Sequence, residues 1–149
     1  MQSVTFRHEG QVRGKSRPRA TRRAGKTAVY TPEIQHRKEA CVMASAMREE
    51  LPPPFHGPVA LDIFISQAMP TSWSQKKQAE MTGAYVDKKP DSDNQIKTIM
   101  DALNGLLWAD DRQVAKISYE KRYGITHHAV IRVTALTPQT QPESTGKLI

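Results

Sequence analysis

The chain has 149 residues, 38% of them hydrophobic, which suits one domain with a real core. A net charge of +7 and a pI near 9.7 favour an acidic partner, nucleic acid or an anionic membrane surface. No apolar run approaches the roughly 20 residues of a membrane span and no signal peptide is visible. The single Cys41 excludes an internal disulfide and a cysteine-rich zinc site, so a cytoplasmic protein is expected.

Ser3 to Phe6 alternates Val4 and Phe6 with polar neighbours and reads as a short strand. From Arg7 to Tyr30 eight cations face one Glu9, and Gly10, Gly14, Pro18 and Gly25 predict a loop, not regular structure. Its Lys15, Arg17, Arg19, Arg22 and Arg23 are candidate phosphate contacts; the alternative is a solvated loop that only aids solubility. The run Gly10 to Ser16 imitates a phosphate-binding loop but has three residues between its glycines where that loop needs four. Thr31-Pro32-Glu33 opens a helix, with Ile34, Ala40, Cys41, Met43, Ala44 and Met47 as its expected buried residues. The prolines after Leu51 stop it.

Val59 to Ile65 alternates strongly enough for a strand in the middle of a sheet. Ser72 and Gln75 have capping-box spacing for a short helix that carries Lys76 and Lys77, two further candidate DNA contacts. Trp73 is open to two readings, packing or stacking on a base. After the acidic stretch, Ala115 to Glu120 and His127 to Leu136 read as strands joined near Gly124 into an antiparallel hairpin. His127 and His128 point to opposite faces of a strand and do not form a metal pair. Residues 1–136 are expected to form the domain, and 137–149 a disordered tail rich in Pro, Gln and Thr.

The most informative stretch runs from Lys88 to Asp111. It holds Asp91, Asp93, Asp101, Asp110 and Asp111, five of the fifteen acidic residues of a basic chain. Ile96, Ile99, Met100, Leu103, Leu106 and Leu107 make one apolar helical stripe, with Asp93, Lys97, Asp101 and Asn104 opposite. Pro90 places the helix start just after itself, with Asp91 or Ser92 as cap. Each acid has an ordinary explanation as a cap, a turn or an i,i+4 pair with Lys97. Those explanations leave the concentration of acid beside so much base unaccounted for. Clustered carboxylates repel one another, and a hard divalent cation such as Mg²⁺ or Mn²⁺ relieves the conflict. Held near a phosphodiester, such an ion supports hydrolysis, with Lys97 steadying the attacking water or the developing charge.

The run Lys89-Pro90-Asp91-Ser92-Asp93-Asn94 to Lys97, then Asp101-Ala-Leu-Asn-Gly105, then Trp108-Ala-Asp110-Asp111-Arg-Gln-Val114, closely resembles the RusA family of Holliday-junction resolvases. The resemblance extends more loosely to Gly14–Arg19, Tyr30-Thr31-Pro32, Pro70–Trp73 and Lys121-Arg122-Tyr123. It implies an α/β (α+β) fold with a small mixed β-sheet packed with helices. It implies a homodimer that binds four-way DNA junctions in recombination and repair and cuts paired strands symmetrically with Mg²⁺ or Mn²⁺. The family's essential carboxylates fall on Asp91, Asp93 and Asp111, as metal ligands, and its essential lysine on Lys97. Asp101 and Asp110 match the motif without an assigned role. The alternatives are a DNA-binding protein without catalysis and a nuclease for other branched substrates.

Overall fold

Strand β4, Val59–Ala68, is the axis of the molecule, because both of its edges are paired. The computed structural model describes the backbone of residues 2–12, 19–23, 26–30 and 33–137, and side chains for 2–12 and 38–137. In chain order the elements are β1 (Ser3–Glu9), β2 (Arg19–Arg23), β3 (Lys26–Tyr30), α1 (Glu33–Met47), β4, α2 (Gln75–Met81), α3 (Ser92–Leu103), a 3-10 turn (Asp111–Gln113), β5 (Val114–Gly124) and β6 (His128–Ala135). The sheet order is β1-β6-β4-β5. β5 runs parallel to β4, while β6 is antiparallel to both β4 and β1. The fold is therefore a mixed α+β arrangement, as expected.

Parallel β4 and β5 cannot be joined by a tight turn, so the chain between them crosses over through α2 and α3. α3 presents Ile99, Ala102 and Leu103 to the sheet, and all three are fully buried. They pack into one core with Leu61, Ile63 and Ile65 of β4, Ala129, Ile131 and Val133 of β6, Val4 and Phe6 of β1, and Leu107 and Trp108 beyond the helix. The stripe read from spacing is thus the core face. Among the described residues no helix is long and apolar enough to cross a membrane.

Four expectations need correction. The β5–β6 hairpin does not form, because β4 lies between the two strands. The chain instead passes over the end of β4, where the Ser66 hydroxyl donates to Thr126 O at 2.8 Å and Ala68 N donates to His127 Nδ1 at 3.2 Å. Gly124 fits this crossing, since a Cβ there would collide with Ser66 Oγ. The basic segment is not all loop: β2 and β3 pair antiparallel from Arg19↔Tyr30 to Arg23↔Lys26. The α2 cap is Ser74, whose Oγ accepts from Lys77 N at 3.1 Å, not Ser72. Finally, α1 buries Val42, Ser45 and Ala46, leaving Ala40, Cys41, Met43, Ala44 and Met47 exposed. The approach of α1 to α3 and β1 uses the seam of Val42, Ser45 and Ala46, and the long methionines are left outside. The side chain of Ile34, the Thr31-Pro32 cap and the tail beyond 137 lie outside the described residues.

His8, from the inward face of β1, is buried against α1 with Nδ1 2.7 Å from Ser45 Oγ. The Ser45 proton goes to Cys41 O at 3.1 Å, so His8 Nδ1 is the donor of the pair. Burial lowers the His8 pKa below the usual 6.5. The folded state therefore disfavours the imidazolium, and its contribution to stability is present above about pH 6.5 and lost as the pH falls below it. Thermal melting should show it: between about pH 7.5 and 5.5 the wild type is expected to lose more stability than His8→Asn, which keeps a donor but cannot titrate.

Candidate active site

The break before α3 sets the site. Pro90 precedes the helix, and Asp91 takes the N-cap position with extended backbone (φ −67°, ψ 140°). Its side chain makes no capping bond to the helix, so its carboxylate oxygens point to other uses. Asp93 follows in the first turn, where the exposed backbone N–H groups favour negative charge. Asp91 and Asp93 line a cleft of about 560 Å³ together with Asp87, Lys88, Lys89, Tyr85, Glu120 and Lys121. Lys97 lies exposed one turn further along α3. Among the described residues neither Asp93 nor Lys97 is held in an ion pair, so the i,i+4 pairing is not what occupies them.

The cleft floor is built from polar groups to which the sequence reading gave no role. Lys121, only 9% exposed, donates from Nζ to Lys88 O at 2.6 Å and to Pro90 O at 2.7 Å. This one ammonium fixes the backbone on both sides of Lys89 and thereby aims Asp91. Burial lowers the Lys121 pKa, and the charges of Asp91 and Asp87 oppose that shift. The Tyr119 hydroxyl donates to Gln95 Oε1, and Gln95 Nε2, fully buried, donates to Val12 O at 2.6 Å. Burial pushes the Tyr119 phenol up to about 12. These contacts lock the first turn of α3 against β5. The clue in the sequence was the looser family resemblance at Lys121-Arg122-Tyr123, which gave those residues no role.

The other candidates are placed as follows. Asp110 caps the 3-10 turn: its carboxylate accepts from Arg112 N at 2.9 Å, and Gln113 reaches back to complete the box. Asp111 accepts from the buried Trp108 Nε1 at 2.8 Å, which leaves its second oxygen for another partner. Asp111 lies beyond the C-terminal end of α3, and Asp91 and Asp93 at its N-terminal end; twelve residues of helix span about 18 Å. Among the described residues no three His, Cys, Asp or Glu side chains group closely enough to hold a metal ion. Within one chain, then, Asp111 does not join Asp91 and Asp93. Lys76 and Lys77 are exposed on α2, with Lys77 Nζ 4.4 Å from the Trp73 ring centre. Trp73 packs against Tyr123 at 5.2 Å between ring centres, which favours its packing role. Arg19, Arg22 and Arg23 lie on β2, their side chains outside the described residues; Lys15 and Arg17 lie outside them altogether.

The family profile described as endodeoxyribonuclease RusA matches residues 9–134, from the end of β1 through β6. The chain belongs to the RusA family. The whole of the cleft lies inside the RusA match. A Bacillus subtilis (strain 168) protein, described as uncharacterized protein YqaN, is 33% identical over 129 residues, covering 83% of this chain and 89% of the relative. Membership makes the fold one of DNA-cutting hydrolases that act on branched junctions, a class in which divalent metal is the general requirement. The oxygen-only donors at the cleft suit a hard cation, and Mg²⁺ is commonly held by one or two carboxylates with water and substrate phosphate completing its shell. Asp91 and Asp93 meet that pattern.

Lys121→Met tests the floor. It leaves two carbonyls without their donor, at a cost of about 1–3 kcal/mol in folding stability. Groups that orient the residues of a metal site are worth about 10–100-fold in activity, so junction cleavage is expected to fall by that factor. Gel assays of cleavage and a thermal melt check both; unchanged cleavage would mean that Asp91 is aimed without Lys121.

Proposed function

We propose that this RusA-family chain is a metal-dependent endonuclease that resolves four-way DNA junctions by paired hydrolytic cuts, acting in the cytoplasm in DNA recombination and repair. The observation that carries the reading is the cleft at the start of α3, where uncapped Asp91 and Asp93 stand among lysines in a chain of this family. In this reading Asp91 and Asp93 hold Mg²⁺, or Mn²⁺ in its place, and Asp111 is the third carboxylate. Held by those carboxylates, such an ion would make a bound water easier to deprotonate and would offset charge on the leaving oxygen. Lys97 steadies the negative charge that develops at the phosphorus. Lys88 and Lys89 hold phosphates beside the cut, and Lys15, Arg17, Arg19, Arg22, Arg23, Lys76 and Lys77 hold phosphates further out.

Two symmetric cuts need two sites related by the same two-fold axis, which a homodimer provides. The separation of Asp111 from Asp91 and Asp93 supports a site completed across that axis. β5 is a sheet edge, and its residues 115–118 are all exposed, with Ile117 44% accessible. The other end of that edge is covered, through the bridge between Tyr85 and Arg122. An exposed edge strand with an apolar side chain is a template for pairing. Two β5 strands pairing antiparallel about Ile117 would carry Asp111 of the partner subunit to the end of β5 that lines the cleft.

The test is a synthetic four-way junction incubated with and without Mg²⁺, beside flaps, forks and linear duplex. Symmetric nicks in the junction, dependent on metal, are expected. Binding without cutting of any branched substrate would instead mark a DNA-binding protein. For the arm, Arg17→Ala combined with Arg19→Ala should weaken junction binding and flatten its dependence on log salt by about two units, roughly 0.9 for each phosphate no longer neutralised. An unchanged slope would remove those two arginines from the DNA interface.

A further inference from the structure

We propose that Tyr85 is a stacking platform for a nucleobase that has lost a neighbour at the branch point, next to the phosphate to be cut. The proposal rests on reading the adjacent cleft as the nuclease site.

Tyr85 is 67% exposed, yet its ring is held in place. The Arg122 guanidinium covers one ring face with its carbon 4.0 Å from the centre. The same group donates from one nitrogen to the Tyr85 hydroxyl at 2.6 Å and from another to Gly83 O at 2.7 Å. Its Nε is paired with Glu120. The backbone on either side is tied to β5: Tyr123 N donates to Ala84 O at 2.9 Å, and Val86 N to Lys121 O at 3.0 Å. A surface tyrosine with no task is free to swing. Here the covering guanidinium, its hydrogen bond to the hydroxyl and the anchored backbone on either side hold the exposed ring, so little freedom is left to lose when something stacks on it.

Position supplies the ligand class. Tyr85 is on the wall of the cleft that contains Asp91 and Asp93, with Lys88 and Lys89 beside it. A flat aromatic face next to cations that attract a phosphodiester matches a nucleotide, with the base on the ring and the phosphate on the lysines. Within duplex DNA each base is stacked on both sides and has no face to offer. At a branch point stacking is interrupted and a face is free. The platform would therefore favour branched DNA over linear duplex at the cut, a discrimination that phosphate contacts alone cannot make.

The experiment places 2-aminopurine, whose fluorescence reports stacking, at each nucleotide flanking the branch point of a four-way junction. The full-length wild-type protein is bound without divalent metal, so that nothing is cut. One position is expected to change its emission on binding. Tyr85→Ala should abolish that change and reduce the preference for junction over duplex about 10-fold, the scale of a single aromatic–base stack. Tyr85→Trp should keep both. A Tyr85→Ala protein that keeps the emission change and the preference overturns the proposal. So does one that becomes monomeric in sedimentation while wild type does not, since Tyr85 would then belong to a self-association surface. Wild-type cleavage with Mg²⁺, run in parallel, tests the nuclease reading separately. If cleavage succeeds and the emission change is missing, the platform alone fails; if cleavage fails, the fluorescence still reports on the platform.

Discussion

Asp93→Asn is expected to reduce junction cleavage by about 1,000-fold or more, the scale at which a charge-stabilising group acts in a closed site. Binding should stay equal or become tighter, because a negative charge near the DNA phosphates is removed. Asp93 is exposed and outside the core, so the variant should fold and its melting temperature should hardly move. Those three readouts together separate loss of chemistry from loss of structure. Full cleavage by the variant in Mg²⁺ would reject Asp93 as a ligand.

The second large effect comes from mixing. Asp93→Asn and Asp111→Asn proteins are each expected to be inactive alone. If each site draws Asp91 and Asp93 from one chain and Asp111 from the other, a heterodimer of the two variants has one doubly damaged site and one intact site. Unfolding and refolding the mixture should then restore nicking of one strand, to roughly half of the heterodimer's two-site capacity. If all three carboxylates acted from one chain, both sites of the heterodimer would be damaged and no activity would return. Continued inactivity, with heterodimers verified by mass spectrometry, would remove the shared site and leave the family assignment untouched.

The site was readable from sequence as far as local rules reach. Pro90 fixes where α3 starts, and the stripe through Ile99 and Leu103 fixes which side faces the core, so Asp91, Asp93 and Lys97 are left at one end and on the outer face. Asp110 and Asp111 look alike in sequence but differ in use, one capping a turn and the other bound to the Trp108 indole. The family motif singles out Asp111, and three-dimensional placement supplies the physical difference between the two. Lys121 was named with the family motif, but its role was hidden. An alternating strand does not say which face a lysine takes, and only the pairing of β5 with β4 shows that it turns inward to Lys88 O and Pro90 O. The same limit misled the sheet order: a short link between β5 and β6 reads as a hairpin until β4 is known to lie between them. In α1 apolar residues occur on several sides, so the spacing could not choose between the small seam of Val42, Ser45 and Ala46 and the methionines.

Consecutive residues of β5 reach to opposite ends of the segment 83–90. Lys121 grips its final carbonyls, and Arg122 grips Gly83 and Tyr85 at its beginning. Between these anchors the bridge from Tyr85 to Arg122 adds a partial fifth strand. The segment is therefore riveted to the sheet and cannot swing as an independent flap. Amide protons of Gly83 and Val86 should exchange with solvent on the timescale of β5 itself, and a ligand arriving at the cleft meets a wall already in place.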